Sequence, residues 1–151
     1  MARIEAVTHV EAPRRAVWDL LIAWERQPEW MVDARSVEVL SAAREGVGAT
    51  IRCRTNILGG VVVDDDLSVT EWDEESVLGM RHLGRLIRGV GAFELSETAY
   101  GTRLLWWEEA EVPFGALGDA LAGVLVVPWV HRVFRRSLAG FKQVCEGRVP
   151  A

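Results

Sequence analysis

The spacing of apolar residues along this chain changes period three times, and each change marks a new kind of element. Residues 3–12, RIEAVTHVEA, alternate, with Ile4, Ala6, Thr8 and Val10 on one side and Arg3, Glu5, His9 and Glu11 largely on the other. That pattern predicts a half-buried strand. Pro13 follows at a natural first position of a helix, where its missing N–H costs nothing. Val17, Leu20, Leu21 and Trp24 then recur at helical spacing and predict one apolar stripe. Pro28 interrupts the pattern, and a second, shorter helix is expected around Glu29 and Trp30.

From Val37 the period returns to two. The segments SVEVLS, GATIRCRTNIL, VVVDDDLSVTEW, SVLGMRHL, LIRGVGAFELS and TRLLWWEEAEV read as six successive strands, separated by the turn signals REGVG, GG, DEES, GR and AYGT. Connections this short make neighbouring strands antiparallel. Between Phe114 and Cys145 the period is helical again, carried by Leu117, Leu121, Val124, Leu125, Phe134, Leu138 and Phe141, with a kink expected near Pro128. One arrangement satisfies every element: an α+β fold in which a curved antiparallel sheet of seven strands is covered on its apolar face by one long C-terminal helix, with two short helices after the first strand. The chain is read as a single domain over residues 1–151.

Alternation also assigns the faces. Ile51, Cys53, Thr55 and Ile57 point inward from one strand, and Val61, Val63, Leu67 and Val69 from the next, with Asp65 sharing their face unless a bulge turns it out. Leu78, Met80 and His82 lie together. Gly89 and Gly91 share the inward face of Phe93 and Leu95; glycines there fill nothing, so either the long helix approaches closely or space is left for a ligand. In the last strand Leu104, Trp106, Glu108, Ala110 and Val112 face one way, while Arg103, Leu105, Trp107, Glu109 and Glu111 face the other. The second set is the more charged, so Trp106 and Glu108 should point under the helix. A carboxylate there costs free energy unless it is partnered, and burial raises its pKa. Such a group suits acid/base chemistry or anchoring of a ligand; a register shift near Pro113 would instead send both glutamates to solvent.

Composition narrows the classes of function. Half of the residues are hydrophobic, and the formal net charge of −5 argues against a nucleic-acid partner. Cys53 and Cys145 stand far apart with no metal-ligand spacing, so no metal, cofactor or disulfide is expected and a reducing, cytoplasmic setting fits. The N-terminus lacks an apolar signal core, and the run ALAGVLVVPWV is too short for an integral membrane segment.

The stretch VEAPRRAVWDLLIAWERQPEWM resembles the opening of the START-like superfamily, also called SRPBCC or helix-grip. The resemblance is carried by Ala12-Pro13, Val17-Trp18, Leu21, Trp24, Pro28 and Trp30. Further on, VTEWD, MRHLG, RGVGAFEL and GTRLLWWEEAEVP look like its polyketide cyclase/dehydrase-type branch. The resemblance implies a deep cavity between sheet and helix. Aromatase/cyclase members are described as lining that cavity with polar side chains, often arginine, tyrosine or histidine. Here the single tyrosine, Tyr100, lies in a turn and the strand arginines fall mostly on the outer face.

Three readings follow. The first is a binding or transport protein for a small hydrophobic molecule such as a lipid, isoprenoid or aromatic polyketide. Trp30, Cys53, Met80, Gly89, Gly91, Phe93, Trp106, Leu121 and Leu125 would line its cavity, with Glu108, His82 and Asp65 orienting a polar end. The second is a cyclase- or dehydrase-type enzyme in which Glu108 and His82 transfer protons. The third is a partner-binding module, a homodimer in its simplest form, using an outer apolar patch of Trp72, Leu105 and Trp107.

Overall fold

The computed structural model describes residues 2–57, 60–111 and 122–147. β1 (Ala2–Val10) is followed by α1 (Arg14–Leu21), a 3-10 helix (Trp24–Glu29), β2 (Ala34–Val39), β3 (Thr50–Ile57), β4 (Val61–Asp73), β5 (Val77–Leu83), β6 (Arg88–Thr98) and β7 (Gly101–Glu111). A π-helical turn (Ala122–Val126) leads into α2 (Val127–Cys145). The seven strands form one antiparallel sheet in the order β1-β7-β6-β5-β4-β3-β2. Its curl around α2 makes this the α+β helix-grip fold.

Two local expectations change. Pro13 caps α1 instead of occupying its first turn, and its carbonyl accepts from the Ala16 and Val17 amides at 3.0 and 3.2 Å. The second helix lies earlier than expected, ending at Glu29 with Pro28 inside it. A 3-10 turn closed by Arg26 N–H on the Ala23 carbonyl turns Trp24 and Gln27 inward. The Trp24 indole then donates to the Arg44 carbonyl at 2.8 Å, which satisfies its buried N–H. Near Pro128 the expected irregularity takes the form of the π-helical turn, which ends one residue before α2 begins.

The face assignments rest on register. β3 and β4 pair without interruption from Thr50↔Ser68 to Ile57↔Val61, so no bulge turns the Asp64–Asp66 run. Asp65 is 6% exposed inside the sheet. Asp66 accepts two hydrogen bonds from the Arg52 guanidinium on the other face, at 2.8 and 3.0 Å, and Asp64 lies 3.6 Å from Arg54. The acidic run is therefore split between two environments. β6 and β7 are also unbroken from Arg88↔Glu111 to Thr98↔Gly101, which keeps Trp106 and Glu108 on the inner side.

Parity fails once. A bulge between Val69 and Glu71 shifts β4 by a residue, so Trp72 pairs with Leu78 on the inner face and meets Trp18 edge-on, with ring centroids 5.1 Å apart. An added Cβ on Gly79, across from the bulge, would lie 2.9 Å from the Glu71 Cβ. The expected outer patch of Trp72, Leu105 and Trp107 is thereby overturned. Trp72 is inside, Leu105 is half-buried, and the half-buried Trp107 ring lies under the Arg3 guanidinium at 4.4 Å while its indole donates to Glu94.

α2 is seated by its middle and C-terminal turns. Phe134, Ser137, Leu138 and Phe141 are buried. The Val32 amide donates to the Ser137 hydroxyl at 3.1 Å, and a Cβ on Gly140 would stand 3.0 Å from the Trp30 carbonyl. Trp30 meets Phe141 at 5.0 Å and Trp106 at 6.3 Å, both edge-on. Trp106 stacks on Phe134 at 3.7 Å with planes 5° apart, and Phe93 lies against Trp106 at 5.0 Å. These rings join helix, sheet and the segment after the 3-10 helix into one core.

The inward glycines of β6 have a different cause from either one expected. A Cβ on Gly89, whose φ is +130°, would strike the Glu109 carbonyl at 2.1 Å. One on Gly91 would lie 2.6 Å from the Glu108 Cγ and 2.7 Å from the Trp107 carbonyl. It is the adjacent strand β7 that comes close. Gly91→Ala should therefore destabilise the fold by about 1–3 kcal/mol as an overpacking substitution. A thermal melt would show a loss of several degrees; an unchanged melting temperature would mean that the glycine faces open space.

Candidate functional site

Beyond the aromatic core, α2 and the sheet enclose a cavity of about 520 Å³. Strands supply most of its wall: Ile51, Cys53 and Thr55 from β3, Asp65 and Leu67 from β4, Met80 and His82 from β5, Gly91 and Phe93 from β6, and Trp106 and Glu108 from β7. Val130 and Phe134 cover it from α2, and Met31 and Asp33 from the segment before β2. Leu86 and Leu125 also line it and are 60% and 62% exposed, which marks its mouth among the described residues. The size and the apolar wall are those of small-molecule sites.

Of the residues expected here, Glu108, His82, Cys53, Asp65, Met80, Gly91, Phe93, Trp106 and Leu125 lie on the cavity. Leu125 belongs to the rim. Trp30 does not reach the cavity: it is buried behind the wall, where Phe93, Trp106 and Phe141 surround it. Gly89 is also absent from the lining, being pressed against the Glu109 carbonyl. Leu121 lies outside the described residues. Burial pushes the Cys53 thiol up to about 11, against an opposing hydrogen bond from the Thr55 hydroxyl at 3.3 Å, so Cys53 is a wall residue with little thiolate character.

The polar part of the wall has a definite order. Leu67 and His82 are paired across β4 and β5, and Asp65 and His82 point to the same side of the sheet. His82 Nδ1 lies 2.9 and 3.0 Å from the two Asp65 carboxylate oxygens, and its Nε2 lies 3.6 Å from Glu108 Oε2. Gly91, opposite Glu108 in the register, leaves room for the glutamate's Cγ. Burial alone would lower the His82 pKa. The hydrogen bonds to Asp65 and the close Glu108 carboxylate, with the two negative charges, outweigh it and raise the imidazole to about 10. Asp65 is pushed up by burial, against the stabilising hydrogen bond from His82. At neutral pH the ring is an imidazolium held between two carboxylates, able to give a proton and poorly able to take one.

Asp33 was not identified from the sequence. It follows the 3-10 helix in a stretch without regular period, so alternation says nothing of its direction. The structure turns its side chain to the cavity and leaves Oδ1 buried with no hydrogen-bond partner among the described residues. Burial raises its pKa from 3.8 to about 6; a hydrogen bond from its own backbone opposes this, and the charges of Glu108 and Asp65 add to it. Among the described residues, no three His, Cys, Asp or Glu side chains are grouped so as to hold a metal ion.

A folded-state pKa above the unfolded one means stability that is complete below the unfolded value and is lost as pH rises through the folded one. For Asp33 that window runs from about 4 to about 6. Asp33→Asn should therefore stabilise the protein by about 2–3 kcal/mol near pH 8 and bring no gain near pH 4, read from denaturant melts at both pH values. His82 should stay protonated at about pH 8 in an NMR titration, and Asp65→Asn should lower its midpoint by a unit or more. A midpoint near 6.5 in the unsubstituted protein would contradict the arrangement described.

Comparison with solved structures gives the same fold. TTHA0849 from Thermus thermophilus is similar with a TM-score of 0.82 and 22% identity, over 97% of this chain and 98% of that one. The di-domain ARO/CYC BexL from the BE-7585A biosynthetic pathway gives 0.74 at 17% identity, over 98% of this chain and 51% of BexL. The solution structure of the Aha1 dimer from Colwellia psychrerythraea gives 0.63 at 16% identity, over 97% of each chain. At these identities the likeness is one of fold alone. No curated protein matches the sequence. Residues 1–146 match the family described as polyketide cyclase / dehydrase and lipid transport, and the chain belongs to that family.

Proposed function

We propose that this protein binds and carries a small, largely apolar molecule in the cavity between α2 and the sheet. The observation that supports this most directly is the cavity itself, about 520 Å³ with a mostly aliphatic and aromatic wall and polar groups gathered on one side. Burial of apolar surface would supply the affinity. The Asp65–His82–Glu108 row and Asp33 would fix the orientation of one polar end.

A second reading, acid/base chemistry on a carbonyl compound, draws on one feature of the same wall. His82 and Glu108 face a common space with Nε2 and Oε2 3.6 Å apart. With the ring protonated, His82 would serve as the acid and Glu108 as the base, and exclusion of water would strengthen both.

Native mass spectrometry of freshly purified protein, followed by solvent extraction, should reveal a bound small organic molecule. Leu67→Trp, which places an indole in the cavity, should weaken uptake of an apolar fluorescent probe about tenfold or more while the fold persists. Protein that purifies empty and takes up no apolar probe would overturn the proposal. The enzymatic reading is separated by Glu108→Gln, which should abolish turnover of the extracted molecule and leave its binding largely intact. Equal loss of both would leave carriage alone.

A further inference from the structure

We infer that the polar end of the ligand is a protonated amine, seated against Asp33, and that the cavity discriminates against carboxylate, phosphate and plain hydroxyl ends. This rests on the cavity being a ligand site, as proposed above.

Negative charge in the cavity is unmatched. Three buried or half-buried carboxylates, Asp33, Asp65 and Glu108, line the cavity along with one imidazole, and a fourth, Glu111, is exposed at its edge. That imidazole is turned to Asp65 and Glu108: Nδ1 hydrogen-bonds the Asp65 carboxylate and Nε2 faces Glu108 Oε2 at 3.6 Å. No hydrogen bond joins it to Asp33 Oδ1. Arg88 is the one Lys or Arg on the lining among the described residues; it is exposed and 3.3 Å from Glu111, so its charge is already balanced away from the interior. Asp33 Oδ1 is therefore an acceptor shielded from water with no donor of the described chain to meet it.

A buried carboxylate in that state costs several kcal/mol unless a cation or hydrogen-bond donors reach it. The backbone of Asp33 donates one hydrogen bond to its carboxylate, but among the described residues no donor reaches Oδ1, so a ligand that brings its own cation gains a short, charge-assisted hydrogen bond there and relieves the repulsion among the inner carboxylates. A ligand ending in an anion adds a further negative charge to the group and meets no free cation. A hydroxyl offers one neutral donor and does nothing for the net charge. A bare metal ion is disfavoured by the absence, among the described residues, of three grouped ligating side chains. What fits is an ammonium group on an apolar body, its donors directed at Asp33 and its hydrocarbon against Ile51, Met80 and Val130.

The test uses three probes with one hydrocarbon chain and different ends: dodecylamine, dodecanol and dodecanoate. Binding is followed near neutral pH by the emission of Trp106 and Trp129, both on the cavity, in the unsubstituted protein, in Asp33→Asn and in the cavity-filling Leu67→Trp. The amine should bind about tenfold or more tightly than dodecanoate and dodecanol. Asp33→Asn should remove the amine's advantage over dodecanol, while a thermal melt at the same pH shows that the variant is folded and residual dodecanol binding shows that its cavity is open. Leu67→Trp should weaken all three, which excludes attraction of the amine to the acidic surface. Dodecanoate or dodecanol binding as tightly as the amine, or an amine preference that survives Asp33→Asn, overturns this inference and leaves the cavity's binding role standing. No binding by any of the three overturns both.

Discussion

The stack of Trp106 between Phe134 and Phe93 decides how this interior is divided. A helix is a cylinder and a curled sheet is a trough, so one cannot fill the other along its whole length. Contact is concentrated where the three rings meet, at 3.7 and 5.0 Å. On one side of the stack Trp30, Leu138 and Phe141 pack against the buried face of α1 and the 3-10 helix. On the other, β3, β4 and β5 curve away from α2 and the rings become a wall. The same indole therefore closes the core and bounds the cavity.

The polar side of the cavity follows from that division. Packed protein would not tolerate three carboxylates and an imidazole without pairing each of them. The hollow half tolerates them at a cost, part of which is recovered by the Asp65–His82–Glu108 row and part of which is not, at Asp33. Buried acceptors without a partner are rare in native structures, and each calls for an explanation. The unpaired oxygen is thus the most informative atom in the site, and it belongs to a residue that stands outside every periodic segment.

What could be read from the chain divides along the same line. Alternation identified the inner faces of β3, β5, β6 and β7 and so placed Asp65, Met80, His82, Trp106 and Glu108 together, because a regular strand turns each side chain by a fixed half-turn. It failed at Trp72, where one extra residue in β4 reverses the faces and nothing in the residue types marks the site of insertion. It gave Trp30 as a lining residue because an apolar side chain reads the same in a wall and in a core. The β6 glycines announced a close approach without saying by what; the answer, strand β7, depends on how two strands sit together, which no single strand's sequence carries. Asp33 was invisible for want of any period.

The order of strands leaves β1 and β2 each with a neighbour on one side only. The β1 border is partly taken up by α2, whose Lys142 ammonium donates to the His9 carbonyl at 2.7 Å, while the β2 border is one onto which another polypeptide could add in extended form. Arg3 and Glu5 on one border and Arg35 and Glu38 on the other are exposed. Any chain docking edge-to-edge would have to strip water from these ions, which disfavours fibrous self-association.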